Sequence, residues 1–147
     1  MEELLELRTA VEEHRYDDAL QLINEMEEMA KEDKINKIGS FVVILLVHLI
    51  KQAAEDRTTR SWQRSIRNAV LGIRDTNSRY KAKGTYLTIS ELRAIIAERF
   101  PRALRDAADE AFEAQYTAKQ LAAMIDAEAI KAQALDYILN GLPESED

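Results

Sequence analysis

Apolar positions recur at helical spacing along nearly the whole chain, and no stretch shows the strict alternation that a half-buried strand requires. Leu4, Leu5, Leu7 and Val11 mark one side of a first helix ending near His14-Arg15. A second begins at Tyr16-Asp17-Asp18, where the aspartates favour the positive end of the helix dipole. Leu20, Ile23, Met26 or Glu27, and Met29 or Ala30 mark its apolar side and Glu25, Glu28 and Glu32 its wet side. The short polar gap between the two stripes predicts a helical hairpin. Lys31-Glu32-Asp33-Lys34 reads as the boundary before a central helix over 35–54, whose run from Phe41 to Ile50 is interrupted only by His48. A helix apolar on every side is expected to be surrounded by others.

Trp62, Ile66, Ala69, Val70 and Ile73 then fall on one helical face. The pattern weakens at Asp75-Thr76-Asn77-Ser78 and ends at Lys81-Ala82-Lys83-Gly84-Thr85, with Gly84 suited to a left-handed cap. Thr88-Ile89-Ser90-Glu91 is a capping box opening a stripe from Leu92 to Phe112, in which Pro101 predicts a kink or a break. A second box, Thr117-Ala118-Lys119-Gln120, opens an alanine-rich last helix running to Asn140-Gly141. The expected fold is all-α, a single-domain helical bundle of about six helices around the central apolar helix. Its domain spans 1–142, and 143–147 form a frayed acidic tail.

Composition supports this: four glycines and two prolines leave long helices undisturbed. The absence of cysteine excludes disulfides, thiolate metal sites and cysteine nucleophiles. The acidic start Met1-Glu2-Glu3 does not resemble a secretory signal, so a cytoplasmic location is expected. The apolar run over 38–50 is short of the ~20 residues that cross a bilayer, so no membrane partner is expected.

Charge is divided unevenly. The chain carries a net −7, yet between Arg57 and Lys83 eight cations face only Asp75, making that band +7 and the remainder −14. Arg57, Arg60, Arg64 and Arg67 beside Trp62 have the chemistry of a phosphate-binding surface with a stacking ring. The competing reading pairs these arginines with carboxylates of neighbouring helices or of a second copy, and the phase of Trp62 places it in the core. His48, Lys51 and Arg60 or Arg64 could form a cationic pocket for an anion, with Glu25 or Glu28 orienting the imidazole. The alternative for His48 is a buried ring held by one hydrogen bond.

Other chemistry is weakly supported. Glu25, Glu28 and Glu32 share a face, but the Glu-x-x-His pairs of a carboxylate-bridged bundle are missing, so no metal or cofactor is expected. Thr58, Thr59, Ser61 and Ser65 lie in no nucleophile motif, and no phosphate-binding glycine loop occurs. Arg8 and His14 have the Arg-x-x-x-x-x-His spacing of helical HEPN-type ribonucleases but fall in the first helix, so an enzymatic role is not favoured.

The acidic helix from Tyr16-Asp17-Asp18, the element His48-Leu49-Ile50-Lys51, and Arg60-Ser61-Trp62 followed by Ile66 together resemble the bacterial family called domain of unknown function 29. The resemblance covers the first half of the chain well and the second loosely, through Ala103-Leu104-Arg105-Asp106-Ala107. It implies an all-helical cytoplasmic protein and no reaction. The leading functional expectation is a non-enzymatic interaction protein forming a homo-oligomer, a dimer foremost, through the apolar side of the alanine-rich last helix. The alternative is binding of nucleic acid or another anionic partner through the band 57–83, as in a toxin and antitoxin pair.

Overall fold

Glu2–Glu12 form α1, and the way it stops sets up the hairpin. His14 takes a left-handed conformation at φ 60°, and the Arg15 and His14 amides donate to the carbonyls of Ala10 and Val11 at 2.8 and 3.1 Å. This is a Schellman ending, made here with histidine where glycine is usual. Arg15 then holds Glu13 at 2.9 Å and Asp18 at 3.1 Å, and these carboxylates, Glu13 foremost, raise the guanidinium pKa above its ordinary value.

The computed structural model, which describes residues 2–79 and 84–143, runs α2 without interruption from Tyr16 to Glu55. The two helices expected on either side of Lys31-Glu32-Asp33-Lys34 are therefore one. That tetrad contains no glycine or proline, and lysine and glutamate propagate helices well, so polarity alone does not end one. The chain gathers into two compact units, Met1–Ile35 and Asn36–Asp147, and α2 contributes to both.

Ala10 and Ala19 are the only buried apolar residues described in the first unit. Leu4, Leu5, Val11, Leu20, Ile23 and Met29 are all exposed there.

The second unit holds the core. Ile38, Val42, Leu45, Leu46, Leu49 and Ile50 of α2 are fully or almost fully buried. Burial does not extend all round the helix, as the sequence pattern had implied: Ile44 is 43% exposed, and Phe41 and His48 are half-buried. By length and composition α2 does contain an 18-residue window apolar enough to span a bilayer, longer than the 38–50 run alone indicates. More than half of that window, 56%, is buried within the protein, as in a core helix.

Arg60–Asn77 form α3, whose first turn is capped by Thr59 Oγ1 accepting from the Trp62 amide at 3.1 Å. Ile66, Ala69, Val70 and Ile73 are buried, as their spacing predicts. At Gly72 α3 lies against Phe41 of α2: a Cβ there would stand 2.6 Å from the Phe41 ring. Past α3 the chain turns back, with Asn77 Oδ1 accepting from the Leu87 amide and the Asn77 carbonyl from that of Tyr86. Gly84, at φ 98°, belongs to this loop and does not cap α3, which ends at Ser78. Lys81, Ala82 and Lys83 of the predicted ending lie outside the described residues.

Ile89–Glu110 form α4 behind the Thr88–Glu91 capping box, in which both reciprocal hydrogen bonds are present. The helix continues through Pro101, so the predicted break does not occur. Pro101 removes the donor to the Ala97 carbonyl, and both residues are exposed, so water can take the missing place. After α4 come three successive left-handed residues without a glycine: Phe112, Glu113 and Ala114 at φ 51°, 56° and 63°.

The predicted last helix is two. The Thr117–Gln120 capping box opens only the short α5, Ala118–Ala122, and Asp126 caps a separate α6, Ala127–Asn140, through the Ala129 amide. Ile130, Ala134 and Ile138 of α6 are buried, and α6 packs on α3 and α4. The apolar side expected to join two copies is thus already used within the chain. The fold is all-α, with six α-helices among the described residues. The predicted tail over 144–147 lies outside them.

Candidate functional site

Lys51 is the one buried charged side chain among the described residues, at 7% exposure. Its ammonium donates to Glu110 Oε1 at 3.2 Å and stands 4.6 Å from the centroid of the Trp62 ring. Arg57 lies at the same 4.6 Å from that ring and binds Glu55 Oε1 at 3.1 Å. Each cation over the indole contributes about 0.5–2 kcal/mol, depending on how far it is desolvated. Glu110 sits in the last turn of α4, where the helix dipole disfavours a carboxylate, and Lys51 offsets that cost. Trp62 is therefore half-buried beneath two cations, which differs from the wholly apolar surroundings its phase indicated.

His48 faces a different setting from the expected one. Its Nδ1–H donates to the carbonyl of Ile44, one turn back, at 2.8 Å. The imidazole is thus oriented by its own helix, with neither Glu25 nor Glu28 involved. Beside it lies an open hollow of about 280 Å³ lined by Val43, Ile44, Val47, His48, Asp106, Asp109 and Glu110. Three carboxylates make this hollow acidic, so the cationic pocket of His48, Lys51 and Arg60 or Arg64 is not assembled. The single bond to Ile44 fits the expected alternative of a buried histidine held by one hydrogen bond only in part, since the ring is half-buried.

The arginines of α3 lie elsewhere. Arg60, Arg64, Arg67 and Arg74 are exposed, and no carboxylate holds any of them among the described residues. Together with Leu71, which is 58% exposed, they follow spacings of four, three, four and three. On a helix these positions form one straight row, about 21 Å long at 1.5 Å per residue. The Arg74 guanidinium lies next to Gly141 at the end of α6, where the dipole favours a cation. The predicted contact set therefore divides: Lys51 and Arg57 clamp Trp62, while Arg60, Arg64 and Arg67 remain free.

Glu110 and Glu55, the partners of the clamp, did not emerge from the sequence. Glu110 lies 59 residues from Lys51, and no local pattern distinguishes it from other surface carboxylates. Among the described residues no group of three or more His, Asp or Glu side chains is arranged to hold a metal ion. Arg8 pairs with Glu12 at 3.1 Å and His14 bonds the Tyr16 hydroxyl at 2.9 Å, so each has a structural role of its own.

A family model described as domain of unknown function DUF29 matches residues 6–136. No curated protein and no solved structure matches the chain.

Proposed function

The chain belongs to that DUF29 family, and we propose that it is a non-enzymatic interaction protein that self-associates, with its N-terminal hairpin as the contact element. The observation that supports this most directly is the hairpin's surface. Leu5 is 65% exposed, Leu20 59% and Met29 55%, while the buried apolar residues described in the unit are two alanines. An apolar surface of this kind is stabilised when a partner covers it. Light scattering on the eluting full-length protein tests the reading. The expected mass is that of a dimer, falling to the monomer in the Leu5→Asp, Leu20→Asp variant. A monomer at every concentration overturns it.

A second reading, nucleic-acid binding, is favoured by the free arginine row of α3. It requires a labelled oligonucleotide to bind at low salt, to dissociate as salt rises, and to be lost with Arg60→Glu and Arg64→Glu. Failure to bind at low salt removes it.

A further inference from the structure

We propose that the hairpin's part of α2 docks antiparallel along α3 of a second copy, pairing Arg60 with Glu32, Arg64 with Glu28, Arg67 with Glu25 and Arg74 with Asp18. This rests on the self-association just described and adds to it a polar contact, on the side of α2 that faces away from Leu20 and Ile23. Asp18, Gln21, Glu25, Glu28 and Glu32 are all exposed and lie on one face of α2, at spacings of three, four, three and four. Reversed, those spacings are the four, three, four and three of the arginine row.

The two rows have the same length and opposite charge, and each contains one uncharged member. Only one direction makes them match. Antiparallel, the four cations meet four anions and Leu71 falls opposite Gln21. Parallel, Leu71 meets Glu28 and Arg64 meets Gln21, so two charges are left facing neutral groups. Asp18 already accepts from Arg15 at 3.1 Å, and a carboxylate has lone pairs for a second donor.

Charge also selects the occupant. Residues 1–35 carry twelve acids and four bases, a net −8, so two hairpins repel one another, whereas hairpin and arginine row attract. A nucleic acid would leave the acidic row unused and would meet a protein surface that is −14 outside the band 57–83. A two-fold axis lets each copy supply both rows, satisfying all four and closing the assembly as a dimer.

The chain has no cysteine, which allows a direct test. Arg64→Cys and Glu28→Cys chains carrying tags of different size are mixed and oxidised. A disulfide joining the two different chains, absent from either variant alone, is the expected product. Arg64→Glu should raise the dimer dissociation constant about tenfold or more, since each substitution acts twice in the dimer. Glu28→Arg in the same chain should restore it, and added salt should weaken the wild-type dimer. A dimer that forms no 28–64 disulfide and ignores Arg64→Glu overturns this pairing while leaving self-association standing. A monomeric wild type overturns both. An RNA or DNA oligonucleotide that binds at physiological salt, is lost with Arg64→Glu and is not rescued by Glu28→Arg assigns the row to phosphate and also overturns the pairing.

Discussion

The hairpin and the helical body share one helix yet are stabilised in different ways. In the body, α2 is packed on by aliphatic side chains from Ile38 to Ile50. In the hairpin, the same helix buries Ala19 and exposes Leu20, Ile23 and Met29. The difference shows how a poorly buried segment can still be helical. Nucleation is the costly step of helix formation, and the core has already fixed the helix downstream, so each residue before Ile35 needs only to propagate it. Helicity there is inherited from the body, whereas burial has to come from elsewhere.

The contrast breaks first if core and hairpin respond alike to truncation. Leu46→Ala is expected to cost about 2–5 kcal/mol in denaturant unfolding, and Leu20→Ala under about 0.5 kcal/mol. Equal losses would mean that Leu20 is covered in the isolated protein. Hydrogen exchange sharpens the point within α2 itself. Amides of 42–50 should open only with global unfolding, and those of 17–30 much sooner; uniform protection along the helix would remove the distinction.

Inside the body, the two helical glycines of the second unit should behave oppositely to one another. Gly72→Ala drives a methyl into the Phe41 ring and should cost about 1–3 kcal/mol net, read as a lower unfolding midpoint. Gly39→Ala meets only the guanidinium end of Arg99, which can move, so the gain in helix propensity of up to about 1 kcal/mol should hold the midpoint level or raise it. The smallest effects compare two left-handed residues. Glu113→Gly relieves φ 56° in the body and should raise global stability by up to about 1 kcal/mol. His14→Gly relieves φ 60° in the hairpin but gives up the Tyr16 bond, and should slow exchange of the hairpin amides without moving the global midpoint.

What the sequence disclosed follows the range of the forces involved. Both capping boxes and the buried face of α3 were legible because they depend on residues three or four positions apart. The missed features needed more than polarity. A charged tetrad suggests a helix boundary, though Lys31 to Lys34 lacks any backbone reason to stop. Asp126 divides the last helix because its carboxylate caps Ala129, a role that the surrounding alanines hide. The site was less legible still. That Lys51 belongs to Glu110 and Trp62 while Arg64 belongs to neither depends on which helices pack together. The arginines themselves were identifiable by count, and their freedom from intrachain carboxylates only by structure.

Lys51 also has a consequence for covalent chemistry. Acylating reagents attack an amine from solvent, and this nitrogen is enclosed, held by Glu110 and covered by an indole. Among the lysines of the described residues it should therefore be labelled last, well after Lys37 and Lys119, which stand in solvent. Mass spectrometry of partially acetylated protein would follow that order. Early modification of Lys51 would report that α4 had drawn Glu110 away, making one amine a built-in gauge of whether the body is closed.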